Sequence, residues 1–82
     1  MGKVATLFKV YPEQGAEESV LSEIKSSMKP NSIQLEDVAF GIKIIKAMFI
    51  HDDGEGSEKY EQKLRAMKNV NEVEVAEESL IS

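Results

Sequence analysis

The run His51-Asp52-Asp53-Gly54-Glu55 sets one imidazole and three carboxylates within five residues. Those are the groups from which metal sites and general acid–base pairs are assembled. The spacing supports neither. A calcium loop needs oxygen ligands at alternate positions and a glutamate at the twelfth, and Asp52-Asp53-Gly54-Glu55-Gly56 lacks that pattern. His51 is the only histidine and there is no cysteine. Beyond His51 there is nothing from which to build a Ser-His-Asp or Cys-His set, and disulfides and Cys-based metal sites are excluded. The segment reads as a solvated loop with no metal. The one arginine, Arg65, stands beside no glycine-rich turn. It reads as a solvated residue near a helix C-terminus rather than as part of the anion cradle that acylphosphatase chemistry requires. Neither G-x-G-x-x-G nor a Walker pattern occurs. No catalytic residue and no cofactor is expected.

What remains is a contact motif. Val38-Ala39-Phe40-Gly41-Ile42-Lys43 lies between two strand-like runs, where a hairpin must turn. Turns favour small and polar residues, yet this one carries a phenyl ring. Such a ring either folds back into the core or waits for a partner. Phe40-Gly41-Ile42 also echoes the aromatic motif by which RNA-binding sheets stack on bases. However, Ile42 stands where the second ring belongs, and Asp37 precedes where a base is needed. Residues 1–50 balance six acids against six lysines, while residues 51–82 hold nine acids against four bases, so the net charge of −5 comes from the last third. That argues against direct nucleic-acid binding, which needs clustered cations. It suits a basic partner or plain solubility.

The elements that position these residues follow from periodicity. Eighty-two residues make one domain, 1–82. The longest apolar run, Ala47 to Ile50, is far too short for a membrane span, and a cytoplasmic chain without a signal peptide is expected. Met1-Gly2-Lys3-Val4-Ala5-Thr6 loosely matches the myristoylation pattern, but a strand beginning at once leaves no arm to carry a lipid.

Lys3 to Tyr11 is apolar on both faces, as a central strand should be. Ala16 to Met28 carries Val20, Leu21, Ile24 and Met28 on one helical stripe. Pro30-Asn31 stops it. Ser32 to Val38 alternates Ile33 and Leu35 with Gln34 and Glu36, an edge signature. Ile42 to His51 is the most apolar strand and should be central. Ser57 is a candidate N-cap for a helix from Glu58 to Met67, with Tyr60, Leu64 and Met67 facing in. Val70 to Leu80 closes the chain as an edge strand, Val73 and Val75 in, Glu72 and Glu74 out. The order β-α-β-β-α-β implies an α+β, ferredoxin-like sandwich. Its four-stranded antiparallel sheet has the order 4-1-3-2, with two helices on one face.

At this point a resemblance becomes specific. Val4-Ala5-Thr6 and Val10-Tyr11-Pro12-Glu13, the hairpin Ala39-Phe40-Gly41-Ile42-Lys43 and the acidic Val73-Glu74-Val75 are similar to the archaeal elongation factor 1-beta family. They are likewise similar to the exchange domain of the eukaryotic beta subunits. The resemblance spans nearly the whole chain, and the hairpin is its sharpest piece. It implies a translation factor that promotes exchange of GDP for GTP on elongation factor 1-alpha, the GTPase that delivers aminoacyl-tRNA. On the same resemblance it would act by destabilising bound nucleotide and magnesium, without covalent chemistry.

The resemblance also implies two contacts at opposite ends of the sheet. Phe40, with Gly41, Ile42 and Lys43, would meet a non-catalytic domain of the GTPase. The tail, here Leu80 and Ile81, would meet its nucleotide domain. Eukaryotic members place a lysine near the chain end that can stand in for the magnesium charge. Residues 79–82 hold no lysine. Leu80 and Ile81 then either push on the switch region or P-loop, or simply pack on the sheet. Lys43 either pairs with an acid on the partner or keeps a strand edge soluble. The alternative is a small ferredoxin-like regulatory module that binds a ligand or oligomerises edge to edge. A monomer with an exposed Phe40 favours exchange, and a dimer with a bound metabolite favours the module.

Overall fold

The computed structural model describes residues 2–81. Met1 of the lipidation pattern and Ser82 of the tail lie outside the described residues. The elements are β1 (Lys3–Pro12), α1 (Glu17–Met28), β2 (Ser32–Ala39), β3 (Ile42–Asp52), α2 (Glu58–Arg65) and β4 (Val70–Leu80). The sheet order is β2-β3-β1-β4 with every pairing antiparallel. This is the ferredoxin-like α+β topology expected from the sequence.

The two strands with apolar residues on both faces take the centre. β1 pairs with β3 from Lys3↔Asp52 to Val10↔Ile45. Their alternate residues Phe8, Val10, Ile45, Ala47 and Phe49 are buried against Val20 and Ile24 of α1, Leu64 of α2 and Val73 of β4. Phe8 meets Phe49 edge-on at 5.9 Å, and Tyr60 stacks on Phe49 at 4.7 Å. Both geometries suit the ring quadrupoles. α1 ends where Lys29 turns left-handed (φ 48°) and Pro30 follows. At its start no side chain caps the helix. Instead the Glu17 carboxylate accepts the Gly15 N–H at 3.0 Å, placing negative charge on the helix N-terminus.

Three expectations change. Ser57 precedes α2 but makes no side-chain cap; its φ and ψ are already helical, whereas a capping hydroxyl needs an extended backbone. α2 stops at Arg65, not Met67. Val75 points to the helix side as Phe8's partner, but it stays 43% exposed because it lies on an edge strand and no helix covers it. Only Val73 of that pair is buried.

Candidate partner-binding site

The hairpin joining β2 and β3 closes with two residues, Phe40 and Gly41, between the partners Ala39 and Ile42. Both have positive φ, 51° and 76°. That is the backbone a two-residue type I′ turn requires, because its twist matches the flanking strands. Gly41 adopts it without steric penalty. Phe40 does not, since a left-handed conformation crowds a β-carbon at a cost of about 1–2 kcal/mol. The ring gains nothing from the fold in return, for Phe40 is 100% exposed. Val38 and Ile42 beside it are half exposed, and Lys43 is exposed opposite Asp37. The hairpin thus presents an apolar tip with an aromatic apex and a cation at its base.

The other end of the sheet holds the tail. β4 runs antiparallel to β1, so Leu80 lies opposite Val4, which pairs on its other side with His51 near the end of β3. Over its 11 residues β3 carries the chain about 33 Å from the hairpin to this end. Leu80 is 68% and Ile81 50% exposed. The Ile81 N–H donates to the Lys3 carbonyl at 2.9 Å, and the Asp53 N–H donates to that of Gly2 at 3.0 Å. The Lys3 ammonium lies 2.7 Å from Asp52 Oδ1. Their hydrogen bond, then their opposite charges, holds the Asp52 carboxyl below the usual carboxylate range and raises the Lys3 ammonium. A similar exposed pair, Lys59 with Glu55 at 2.9 Å, closes the neighbouring loop.

The sequence-derived contact residues therefore form two groups that the structure keeps apart. Phe40, Gly41, Ile42 and Lys43 sit together at one end, and Leu80 and Ile81 at the other. Two residues that looked chemically capable are occupied by the fold. Arg65 donates to Glu61 Oε2 at 2.8 and 3.0 Å and to the Val73 carbonyl at 2.8 Å, tying α2 to β4. It does more than the solvated helix residue expected. His51, read as the last residue of the third strand, lies in β3 and is 3% exposed. Its period-2 position on β3 carries it inward, next to Thr6 and Tyr60. Only Asp52 to Gly56 remain outside. Among the described residues, no three His, Cys, Asp or Glu side chains converge to hold a metal ion. No helix there is long and apolar enough to cross a membrane.

Fold and site together define a ferredoxin-like sandwich whose distinctive surface is a pair of exposed apolar tips. The chain belongs to the EF-1 guanine nucleotide exchange domain family, whose model matches residues 6–81. Three curated relatives are each named elongation factor 1-beta. That of Methanosphaerula palustris is 33% identical over 98% of this chain and 99% of its own length. That of Methanospirillum hungatei is 33% identical over 99% and 100%. That of Aeropyrum pernix is 35% identical over 92% of each. The chain is thus a translation elongation exchange factor of archaeal type, as the family resemblance implied.

Proposed function

We propose that this chain, acting as a single exchange domain in the cytoplasm, releases GDP from elongation factor 1-alpha by gripping the GTPase at two places. Phe40, supported by Gly41, Ile42 and Lys43, anchors to a domain that does not hold the nucleotide. Leu80 and Ile81 press on the nucleotide domain near its magnesium. No bond is made or broken. The GTPase holds its nucleotide through P-loop amides and a bridging magnesium ion. A factor that binds better to the GTPase lacking nucleotide and magnesium weakens nucleotide binding by the same ratio in which nucleotide weakens the factor's binding. A central pair of long strands suits this role, because a stiff sheet converts anchorage at one end into pressure at the other.

One observation carries the reading. Phe40 combines complete exposure with a left-handed backbone, and both features are unfavourable in the isolated chain. An interface would repay them, since buried aromatic anchors supply much of a complex's binding energy. The test is release of fluorescent GDP from elongation factor 1-alpha. Wild type should accelerate release, and a folded Phe40→Ala should need far higher concentrations to do so. No acceleration by wild type on an active GTPase would refute the proposal.

A further inference from the structure

Close to the tail, buried on the helix side of the sheet, runs a short chain of hydrogen bonds. His51 Nδ1 lies 3.1 Å from the Asp52 carbonyl oxygen. His51 Nε2 lies 2.9 Å from Thr6 Oγ1. Thr6 Oγ1 in turn donates to Glu78 Oε2 at 3.1 Å. Thr6 and His51 are 0% and 3% exposed, while Glu78 stands at the solvent edge. Register explains how the glutamate arrives there. An irregularity in β4 lets Ala76 go unpaired, so Val75 faces Phe8 and Glu78, not Glu77, faces Thr6.

We propose that Thr6, His51 and Glu78 form a proton-dependent latch, holding the end of β4 and with it Leu80 and Ile81 on the sheet while the His51 ring carries both protons. The direction of each bond requires this. A carbonyl oxygen only accepts, so Nδ1 must donate to Asp52. A threonine hydroxyl has one proton. If it donates to Glu78, its oxygen must accept from Nε2. Both ring nitrogens then donate, which is the imidazolium form. Remove one proton and a bond fails. With the proton left on Nδ1, Nε2 can only accept, and the threonine hydroxyl, with one proton to give, must drop either the imidazole or Glu78. With it left on Nε2, the Nδ1 lone pair faces the Asp52 carbonyl oxygen.

The charged surroundings leave Glu78 as the group that responds. Asp52 is engaged by Lys3, and Glu55 by Lys59. Tyr60 of α2 meets the imidazole with its ring at 5.5 Å, and the Lys59 ammonium lies over the Tyr60 ring, 5.4 Å from its centroid. From β4, Glu78 reaches the imidazole through Thr6. The latch stands on this geometry alone. Its consequence, a tail that is held at low pH and loosened at high pH, bears on exchange only through the tail contact proposed above.

The test uses the full chain labelled with ¹⁵N and no GTPase. Histidine changes charge between about pH 5 and 8, and a protein with one histidine gives one unambiguous pair of ring signals. The reporter is the Ile81 amide, bonded to the Lys3 carbonyl. In wild type its protection, corrected for the intrinsic pH dependence of amide exchange, should fall about fivefold as the ring loses a proton, the ratio expected of one modest hydrogen bond. In Glu78→Ala, a change at the exposed rim that spares the core, protection should be low and independent of pH. The latch is overturned by a ring that titrates without moving Ile81. It is equally overturned by a ring in one state throughout, or by a pH response retained in Glu78→Ala. GDP release measured at both ends of the pH range then tests the consequence, and its failure would leave the amide result standing.

Discussion

Replacing Phe40 by glycine should move stability and function in opposite directions. The fully exposed ring contributes no burial to the fold, and its φ of 51° crowds the β-carbon. Removing the β-carbon relieves about 1–2 kcal/mol of backbone strain. Glycine's freer unfolded chain takes back about 0.4–1 kcal/mol. The net gain is about 0–1.6 kcal/mol, which for a domain of this size raises Tm by up to about 13 °C. Binding to the GTPase should weaken by about 2 kcal/mol or more, roughly thirtyfold, if the ring is the anchor. Thermal unfolding by circular dichroism gives the first quantity. The concentration needed for half-maximal GDP release gives the second. A lower Tm would mean that the ring packs on the molecule after all. An unchanged half-saturating concentration would remove Phe40 from the interface.

Other perturbations test the remaining parts. Leu64→Ala empties a fully buried position between α2 and the sheet, and urea unfolding should show a loss of about 2–5 kcal/mol. Arg65→Met keeps the aliphatic stem but removes the bonds to Glu61 and the Val73 carbonyl. It should cost about 1 kcal/mol, with amide exchange rising first at the contact between α2 and β4. The Asp52 carboxyl is held below its ordinary value by Lys3. A depressed carboxylate adds stability above its unfolded value of about 3.9, and that contribution is lost as pH falls through the lower folded value. A carbon-13 titration of the side chain should show the depressed midpoint, and Lys3→Met should return it to the ordinary range.

Much of this was readable from the sequence because the signals are periodic. The double-sided apolar character of β1 and β3 marked them as central, and the half-polar β2 and β4 as edges. Alternation specifies which face a residue takes, but not whether anything covers that face. Val75 therefore looked like core although it lies uncovered on an edge strand. An unpaired residue at Ala76 shifts every later position by one, and no residue type at that point announces it. That shift is what brings Glu78 to Thr6. His51 was obscured by its acidic neighbours. The usable signal was the inward set of β1, where Thr6 interrupts Val4, Phe8 and Val10, and a buried hydroxyl requires a partner. Gly41 signalled a turn, but the left-handed strain at Phe40 depends on the two-residue loop length, which only the register establishes. The pairing of hairpin and tail as contact ends came from the family resemblance, not from periodicity.

The proposed exchange mechanism divides labour between the two ends of one stiff sheet. The most direct measurement is the concentration dependence of GDP release from elongation factor 1-alpha, comparing wild type, Phe40→Ala and Leu80→Ser/Ile81→Ser. Phe40→Ala should raise the half-saturating concentration and leave the plateau rate nearly unchanged, because it removes anchorage only. The tail variant should lower the plateau and leave half-saturation nearly unchanged, because it still docks but no longer presses on the nucleotide domain. Both variants shifting the same parameter, or a tail variant as active as wild type, would contradict the claim.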